Sequence, residues 1–161
     1  MPVTRPVAGI DNSGDVPGAM RDDRRMTDAQ PLAADPRPGT RPLADTALGV
    51  LGIELLECTG DRVVARMAID GSIACRGLLL VLAESVASTA AGLAAGEGRR
   101  AFGAELNAAF LAQPVAGVVT AVATPWALTH DRHVWRIEAR DGADELVLES
   151  RCTLSVVDAP S

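Results

Sequence analysis

A long apolar run with a single acidic side chain constrains this fold more than any other feature. Between Gly77 and Gly96 the chain reads GLLLVLAESVASTAAGLAAG, and Glu84 is its only charged residue. A helix that is apolar on nearly all sides has to be buried, so the rest of the chain must enclose it. A buried carboxylate is costly unless it is paired, protonated or used in chemistry. Glu84 is therefore a candidate site residue.

Two other interpretations of this run stay open. Ser88 follows Glu84 by one helical turn, and a hydrogen bond between them would make Glu84 a structural acid. The run also has about the length of a membrane span. However, small residues dominate it, and an acid in mid-span costs ~2.5 to 3.5 kcal/mol to insert. We therefore expect a core helix and no association with a membrane.

Composition restricts the class of protein. Hydrophobic residues make up 48% of the 161 positions, which predicts one domain with a real core. Aromatic residues make up only 2% and the net charge is -6, which argues against a nucleic-acid partner. Cys58, Cys75 and Cys152 are odd in number and widely spaced, so we expect neither disulfides nor a metal site. A reducing cytoplasm is the expected location.

The chain divides into two parts. Residues 1–42 are rich in Pro, Gly, Asp and Arg without apolar periodicity, which predicts a disordered leader that folding does not need. Residues 43–161 are expected to form the domain: a short helix, two strands, the long helix, then four strands in a meander. This order predicts an α+β fold in which one antiparallel sheet wraps around a central helix.

Several strings in the second part resemble a known family. They are LGIELLE, RVVARMAID, LAESVAS, GAELNAAFL, HVWRIEARD and SRCTLSVV. Together they are similar to the hotdog-fold acyl-CoA thioesterases, in particular the phenylacetate-type branch with its 4-hydroxybenzoyl-CoA and 1,4-dihydroxy-2-naphthoyl-CoA hydrolases. The resemblance covers about residues 43–157. It implies a hotdog fold, Glu84 as the catalytic carboxylate, Ser88 as the polar residue one turn later, and sites at dimer interfaces.

The chain departs from that family at the start of the long helix. Family members usually carry His-Gly-Gly there, whereas this chain has Cys75-Arg76-Gly77. The preceding loop, Asp70 to Ala74, is also shortened and lacks room for the Gln with which the family helps to hold the thioester. The acid is retained, while the clamp on the substrate carbonyl is altered.

The beginning of the helix has its own chemistry. The backbone N–H groups of Arg76 and Gly77 lie where a helix offers unpaired donors and a positive dipole end, which suits a developing oxyanion. Glu84 follows Gly77 by seven residues, roughly 10 Å along the axis. The base and the donors must both lie within about 3 Å of one carbonyl. Two chains with antiparallel helices meet this requirement, so we expect a homodimer or a dimer of dimers.

Four further residues are candidates for substrate binding. Cys75, at the helix start, is either a nucleophile or small-residue filler. Asn107 interrupts a mostly apolar strand and either hydrogen-bonds within the core or lines the pocket. Arg132 and His133 are either solvated loop residues or contacts for a nucleotide phosphate. If His130 and His133 lie on a strand they point to opposite faces, so a shared metal is not expected.

Three functions remain. The leading hypothesis is a thioesterase that hydrolyses a small or aromatic acyl thioester on coenzyme A or a carrier protein, with no cofactor. The second is a pathway enzyme of the same fold, a lyase, dehydratase or cyclase, that uses Glu84 as acid and base. The third is a non-catalytic subunit that binds an acyl ligand.

Overall fold

The strands and the long helix follow one another in the predicted order. The computed structural model describes residues 29–37, 42–70, 76–112, 114 and 116–160. After a 3-10 turn, the elements are α1 (Ala47–Val50), β1 (Ile53–Cys58), β2 (Val63–Ile69), α2 (Arg76–Ala95), β3 (Arg99–Phe110), β4 (Gly117–Leu128), β5 (Arg132–Arg140) and β6 (Leu146–Asp158).

All six strands form one antiparallel sheet in the order β1-β2-β4-β5-β6-β3, and α2 packs against one of its faces. The alternation of side chains explains why the sheet has one apolar face. On β5, Trp135, Ile137 and Ala139 are fully buried, whereas Arg136 between them is exposed. The predicted α+β fold with a single central helix is confirmed.

The position of β3 differs from the prediction. A meander is correct for β4, β5 and β6, but β3 pairs with β6 at the far edge of the sheet and not with β4. The reason lies in α2, whose 20 residues cover roughly 30 Å. The helix carries the chain from β2 to the opposite edge, where β3 begins. β4 then returns and pairs with β2, with Gly117 opposite Ile69 and Ala123 opposite Val63.

Helix α2 is the core of the domain. By length and composition it would suffice to cross a membrane, but half of its apolar window is buried in the fold. Its buried face carries small residues between larger ones, namely Leu79, Leu82, Ala83, Val86, Ala87, Ala90 and Ala91. Small residues let the helix lie close to the sheet. It therefore packs as the buried core helix that the sequence predicted.

Residues 29–37, here called the N-terminal strap, correct the leader prediction. The strap lies on the free edge of β1, where the N–H of Leu32 donates to the carbonyl of Leu55 at 2.7 Å. Its first residue, Ala29, packs on a small apolar cluster on the outer face of the sheet, formed by Leu56, Val64 and Val122. This part of the predicted leader is docked because it covers an edge strand and apolar side chains that water would otherwise contact.

The far end of the strap reaches the central helix. Arg37 lies so close to Gly92 of α2 that a Cβ at Gly92 would be 2.8 Å from its Cδ. The Nε of Arg37 donates to Asp35 Oδ1 at 2.9 Å, and the Asp35 side chain is almost completely buried. Burial acts to raise the pKa of Asp35, but the hydrogen bonds and the charge of Arg37 outweigh it and hold that pKa below its ordinary value. Residues 1–28 and 38–41 of the predicted leader lie outside the described residues.

Two truncations should distinguish the contribution of the strap to stability from that of the residues before it. A chain that begins at residue 29 should keep the melting temperature of the full chain, as the composition of residues 1–28 predicts. For a chain that begins at residue 43, the free energy of unfolding should fall by ~1 to 3 kcal/mol, because this chain loses a backbone hydrogen bond and exposes apolar surface. Calorimetry should show a loss of several degrees for the second truncation alone. Equal melting temperatures would mean that the strap contributes nothing to folding.

Candidate active site

Glu84 lies in the middle of α2 and is half-buried. The hydroxyl of Ser88 donates a hydrogen bond to its Oε1, which is the contact that their spacing of four residues predicts. Among the described residues, no group donates to the second carboxylate oxygen, Oε2. One oxygen is therefore held by the helix itself, and the other stays available for a reacting group.

A cleft of about 310 Å³ opens in front of this carboxylate. Its walls are Glu84, Gly103, Ala104, Glu105, Leu106 and Cys152. The β3 wall is bulged at Ala104, because Gly103 lies opposite Leu154 while Glu105 already lies opposite Thr153. A bulge bends its strand and re-aims the neighbouring side chains, and bulges are frequent beside active sites. The cleft therefore lies between the helix and the bulged edge strand.

Cys152 is a member of this cleft that the sequence reasoning did not assign. It lies on β6 opposite Leu106, and it is fully buried. Burial, followed by the charges of Glu84 and Glu105, raises the pKa of the Cys152 thiol to about 11. It stays a neutral thiol at physiological pH and forms an apolar part of the wall. Only the pairing of β6 with β3 brings it to Glu84, and local periodicity carries no signal for that pairing.

Arg76 and Gly77 are exposed at the first turn of α2. The guanidinium of Arg76 lies over the ring of Phe110, 5.5 Å from its centroid. Because Arg76 lies beside Phe110 and Glu84 lies beside Gly103, α2 runs antiparallel to β3. The helix donors and the acid therefore face different points along β3 within one chain. Cys75 lies outside the described residues.

The side chain of Asn107 lies outside the core of the single chain. Its neighbours Leu106 and Ala108 pack towards the core, so by alternation the Asn107 side chain lies on the outer face of the sheet, where it is exposed. Its backbone carbonyl accepts a hydrogen bond from Ser150 at 2.9 Å. The alternative in which the Asn107 side chain hydrogen-bonds within the core is wrong, and the alternative in which it lines the pocket stays a prediction.

Arg132 and His133 occupy opposite faces of β5. Arg132 is exposed beside the turn between β4 and β5, as its solvated interpretation predicts. For His133 that interpretation is wrong, because its side chain faces the core and is only 4% exposed. His133 lies opposite Leu154, which in turn lies opposite Gly103. Leu154, which is fully buried, therefore stands between the imidazole and the cleft.

The buried imidazole makes stability depend on pH. Burial, followed by the charge of Arg99, lowers the pKa of His133 from its ordinary 6.5. The backbone of Ala91 and Thr129 acts to raise this pKa because it favours the charged ring, but its effect is the smaller one. Nδ1 has no hydrogen-bond partner among the described residues. The unfolded chain thus binds the proton more readily than the folded chain, so the protein should lose stability as the pH falls below 6.5.

Urea unfolding at a series of pH values measures this loss. In the variant His133→Phe, the free energy of unfolding should depend less on pH in the first unit below 6.5, because the titrating group is gone. The other histidine of the chain, His130, is exposed, and His130→Gln is the matched control that should leave the dependence unchanged. A wild-type protein equally stable across this range would contradict the assignment.

Comparison with known proteins identifies the family to which the chain is similar. The sequence matches the family described as "Thioesterase superfamily" over residues 73–148. A Haemophilus influenzae relative named as an esterase is 34% identical in an alignment of 121 positions that covers 71% of this chain and 88% of the relative. A 1,4-dihydroxy-2-naphthoyl-CoA hydrolase of Listeria monocytogenes is 31% identical over 66% of this chain and 91% of the hydrolase. A crystal structure of a Haemophilus influenzae thioesterase superposes with a TM-score of 0.68 at 33% identity, covering 72% of this chain and 85% of that protein.

Proposed function

Because this chain belongs to the thioesterase superfamily, we propose that it hydrolyses acyl thioesters with Glu84 as its catalytic carboxylate. Its relatives carry thioesterase and esterase names, which supports a hydrolase. The observation that carries the proposal is the carboxylate itself, which Ser88 holds at the wall of a cleft. Glu84 keeps its second oxygen without a protein partner among the described residues, so that oxygen can accept a proton from water or attack an acyl carbon.

The carboxylate acts in one of two ways. As a general base, it accepts a proton from a water molecule while that water attacks the acyl carbon. As a nucleophile, it attacks the acyl carbon itself, and water then hydrolyses the resulting anhydride. In both cases the C–S bond breaks, and the products are a carboxylic acid and a free thiol. Ser88 keeps the carboxylate oriented throughout, and a positioned base of this kind contributes ~10² to 10⁴ in rate.

The free edge of β3 supports a homodimer. The N-terminal strap covers the other edge of the sheet at β1. The 12 residues of β3 pair with β6 on one side, and no described residue pairs with them on the other. A long uncovered edge is a template for pairing with another strand. We therefore propose that two copies join through their β3 edges about a two-fold axis.

This dimer would complete the site. Within one chain, the donors at Arg76 and Gly77 lie towards the Phe110 end of β3, away from Glu84 at Gly103. Antiparallel pairing of two β3 strands brings the helix start of one subunit towards the cleft of the other. Glu84 of one chain would then act on a carbonyl that the backbone N–H groups of the other chain polarise.

The cleft suits a small or aromatic acyl group. Its volume of about 310 Å³ lies at the lower end of the range for ligand pockets, and Ala104, Leu106 and Cys152 supply the apolar part of a lining that also contains Glu84 and Glu105. The pantetheine arm and its carrier must then extend outside the cleft. Arg132 remains the proposed contact for a nucleotide phosphate, since it is an exposed cation beside a turn.

A panel of thioesters tests the proposal. Purified protein is incubated with acetyl-, benzoyl- and phenylacetyl-CoA and with an acyl-carrier protein, and released thiol is measured with Ellman's reagent. We expect thiol release by the wild type and its loss in Glu84→Gln. Consumption of a thioester without thiol release would favour a lyase, dehydratase or cyclase. Saturable binding without turnover would favour an acyl-binding subunit.

A further inference from the structure

Gly103 is the one residue of β3 without a side chain, and it faces the acid. A Cβ built at Gly103 would lie 3.3 Å from Glu84 Oε1, and no other atom of the described residues beyond its chain neighbours would lie within 4 Å of it. Gly103 is not among the glycines with a positive φ, so its backbone is one that any residue adopts. Space, and not backbone conformation, is what the missing side chain provides.

The oxygen that faces Gly103 is the one that Ser88 holds. Oε1 accepts the hydrogen bond from the Ser88 hydroxyl on the helix side and faces the position of the missing Gly103 Cβ on the sheet side. A Cβ that lies 3.3 Å from a neighbouring atom is closer than most Cβ contacts in proteins, so the added methyl group would push the carboxylate aside by a few tenths of an ångström. Such a shift would weaken the Ser88 hydrogen bond or move the carboxylate into the cleft.

We infer that Gly103 is a positioning residue for Glu84. Its bare backbone lets the carboxylate sit against β3 while Ser88 holds it, and it keeps the cleft open beside the acid. This inference rests on the proposed catalytic role of Glu84. Reaction rates respond to small errors in the placement of a reacting group, and a misplacement of about 1 Å costs up to 10² in rate. Gly103 therefore acts through the carboxylate and not through contact with the substrate.

The variant Gly103→Ala tests the inference. We expect kcat on the best thioester of the panel to fall about tenfold, with KM changed less than about threefold, because the carboxylate is displaced while the pocket that binds the acyl group is retained. The melting temperature should stay close to that of the wild type. Gly60→Ala is the matched control, because it adds the same methyl group where the nearest atom, the Cα of Ala94, is 3.9 Å away. It should leave both kcat and KM unchanged.

A second background separates positioning from a general effect on the fold. In Glu84→Gln, where no carboxylate remains to be displaced, adding Gly103→Ala should cause no further loss of rate. In Glu84→Asp, whose shorter side chain withdraws from β3, Gly103→Ala should lower kcat less than it does in the wild type.

Each result is decisive. Full activity of Gly103→Ala beside an inactive Glu84→Gln would overturn the inference and leave the proposed function standing. An equal loss from Gly103→Ala in all three backgrounds would mean that the effect does not pass through Glu84. Failure of Gly103→Ala to fold would show that the added methyl group clashes with other atoms besides the carboxylate oxygen of Glu84. Full activity of Glu84→Gln would instead remove the proposed catalytic role.

Discussion

Glu84→Gln should lower kcat for thioester hydrolysis by ~10² or more while the fold stays intact. The amide cannot accept a proton from water at neutral pH, nor can it attack the acyl carbon as a carboxylate does. It keeps the volume of the side chain and an oxygen for the Ser88 hydroxyl. Stability should therefore hold or rise, since a half-buried charge is removed. Steady-state kinetics and the melting temperature, measured on the same preparation, check both parts.

Ser88→Ala distinguishes a catalytic acid from a structural one. If Glu84 serves only the fold, its replacement by Gln should leave turnover within a few-fold of the wild type. Ser88→Ala should then destabilise the protein by ~1 to 3 kcal/mol, because the carboxylate loses the hydroxyl that satisfies it. If Glu84 is catalytic, Ser88→Ala should also lower kcat, since the carboxylate loses the group that orients it.

Mixing two inactive variants should restore activity. Gly77→Pro removes one N–H donor from the first turn of α2, where proline is tolerated, and should cost ~10² to 10³ in kcat if this donor polarises the carbonyl. When this variant is unfolded and refolded together with Glu84→Gln, a shared site predicts one intact site in every heterodimer. Random association should then recover about one quarter of wild-type activity, because half of the dimers are mixed and half of their sites are intact.

The refolding experiment also excludes the alternative arrangement. If each chain supplied both its own Glu84 and its own donors, every site in the mixture would carry one of the two defects. Activity would then stay at the level of the separate variants at every mixing ratio. Refolding of each variant alone is the control, and light scattering on the mixture reports whether dimers have formed. A stable, active monomer would contradict the shared site altogether.

Features that depend on neighbours in sequence were predictable. The pairing of Glu84 with Ser88 follows from the geometry of one helical turn, which places residues four apart on one face. The burial of Trp135, Ile137 and Ala139 follows from the two-residue period of a strand. The same period, once β5 includes His133, buries that imidazole, which the sequence alone placed either in a solvated loop or in contact with a nucleotide phosphate.

The sequence by itself determined that one apolar helix carrying a single acid must be enclosed by a sheet, because an apolar segment without charged partners has no other stable place in water. Only the tertiary structure decided which strand faces that acid. Strand pairing joins residues far apart in the chain, so β3 lies beside β6, the strap lies on β1, and Gly103 and Cys152 meet at Glu84. Pairing depends on how all the elements pack at once, and no local period encodes it.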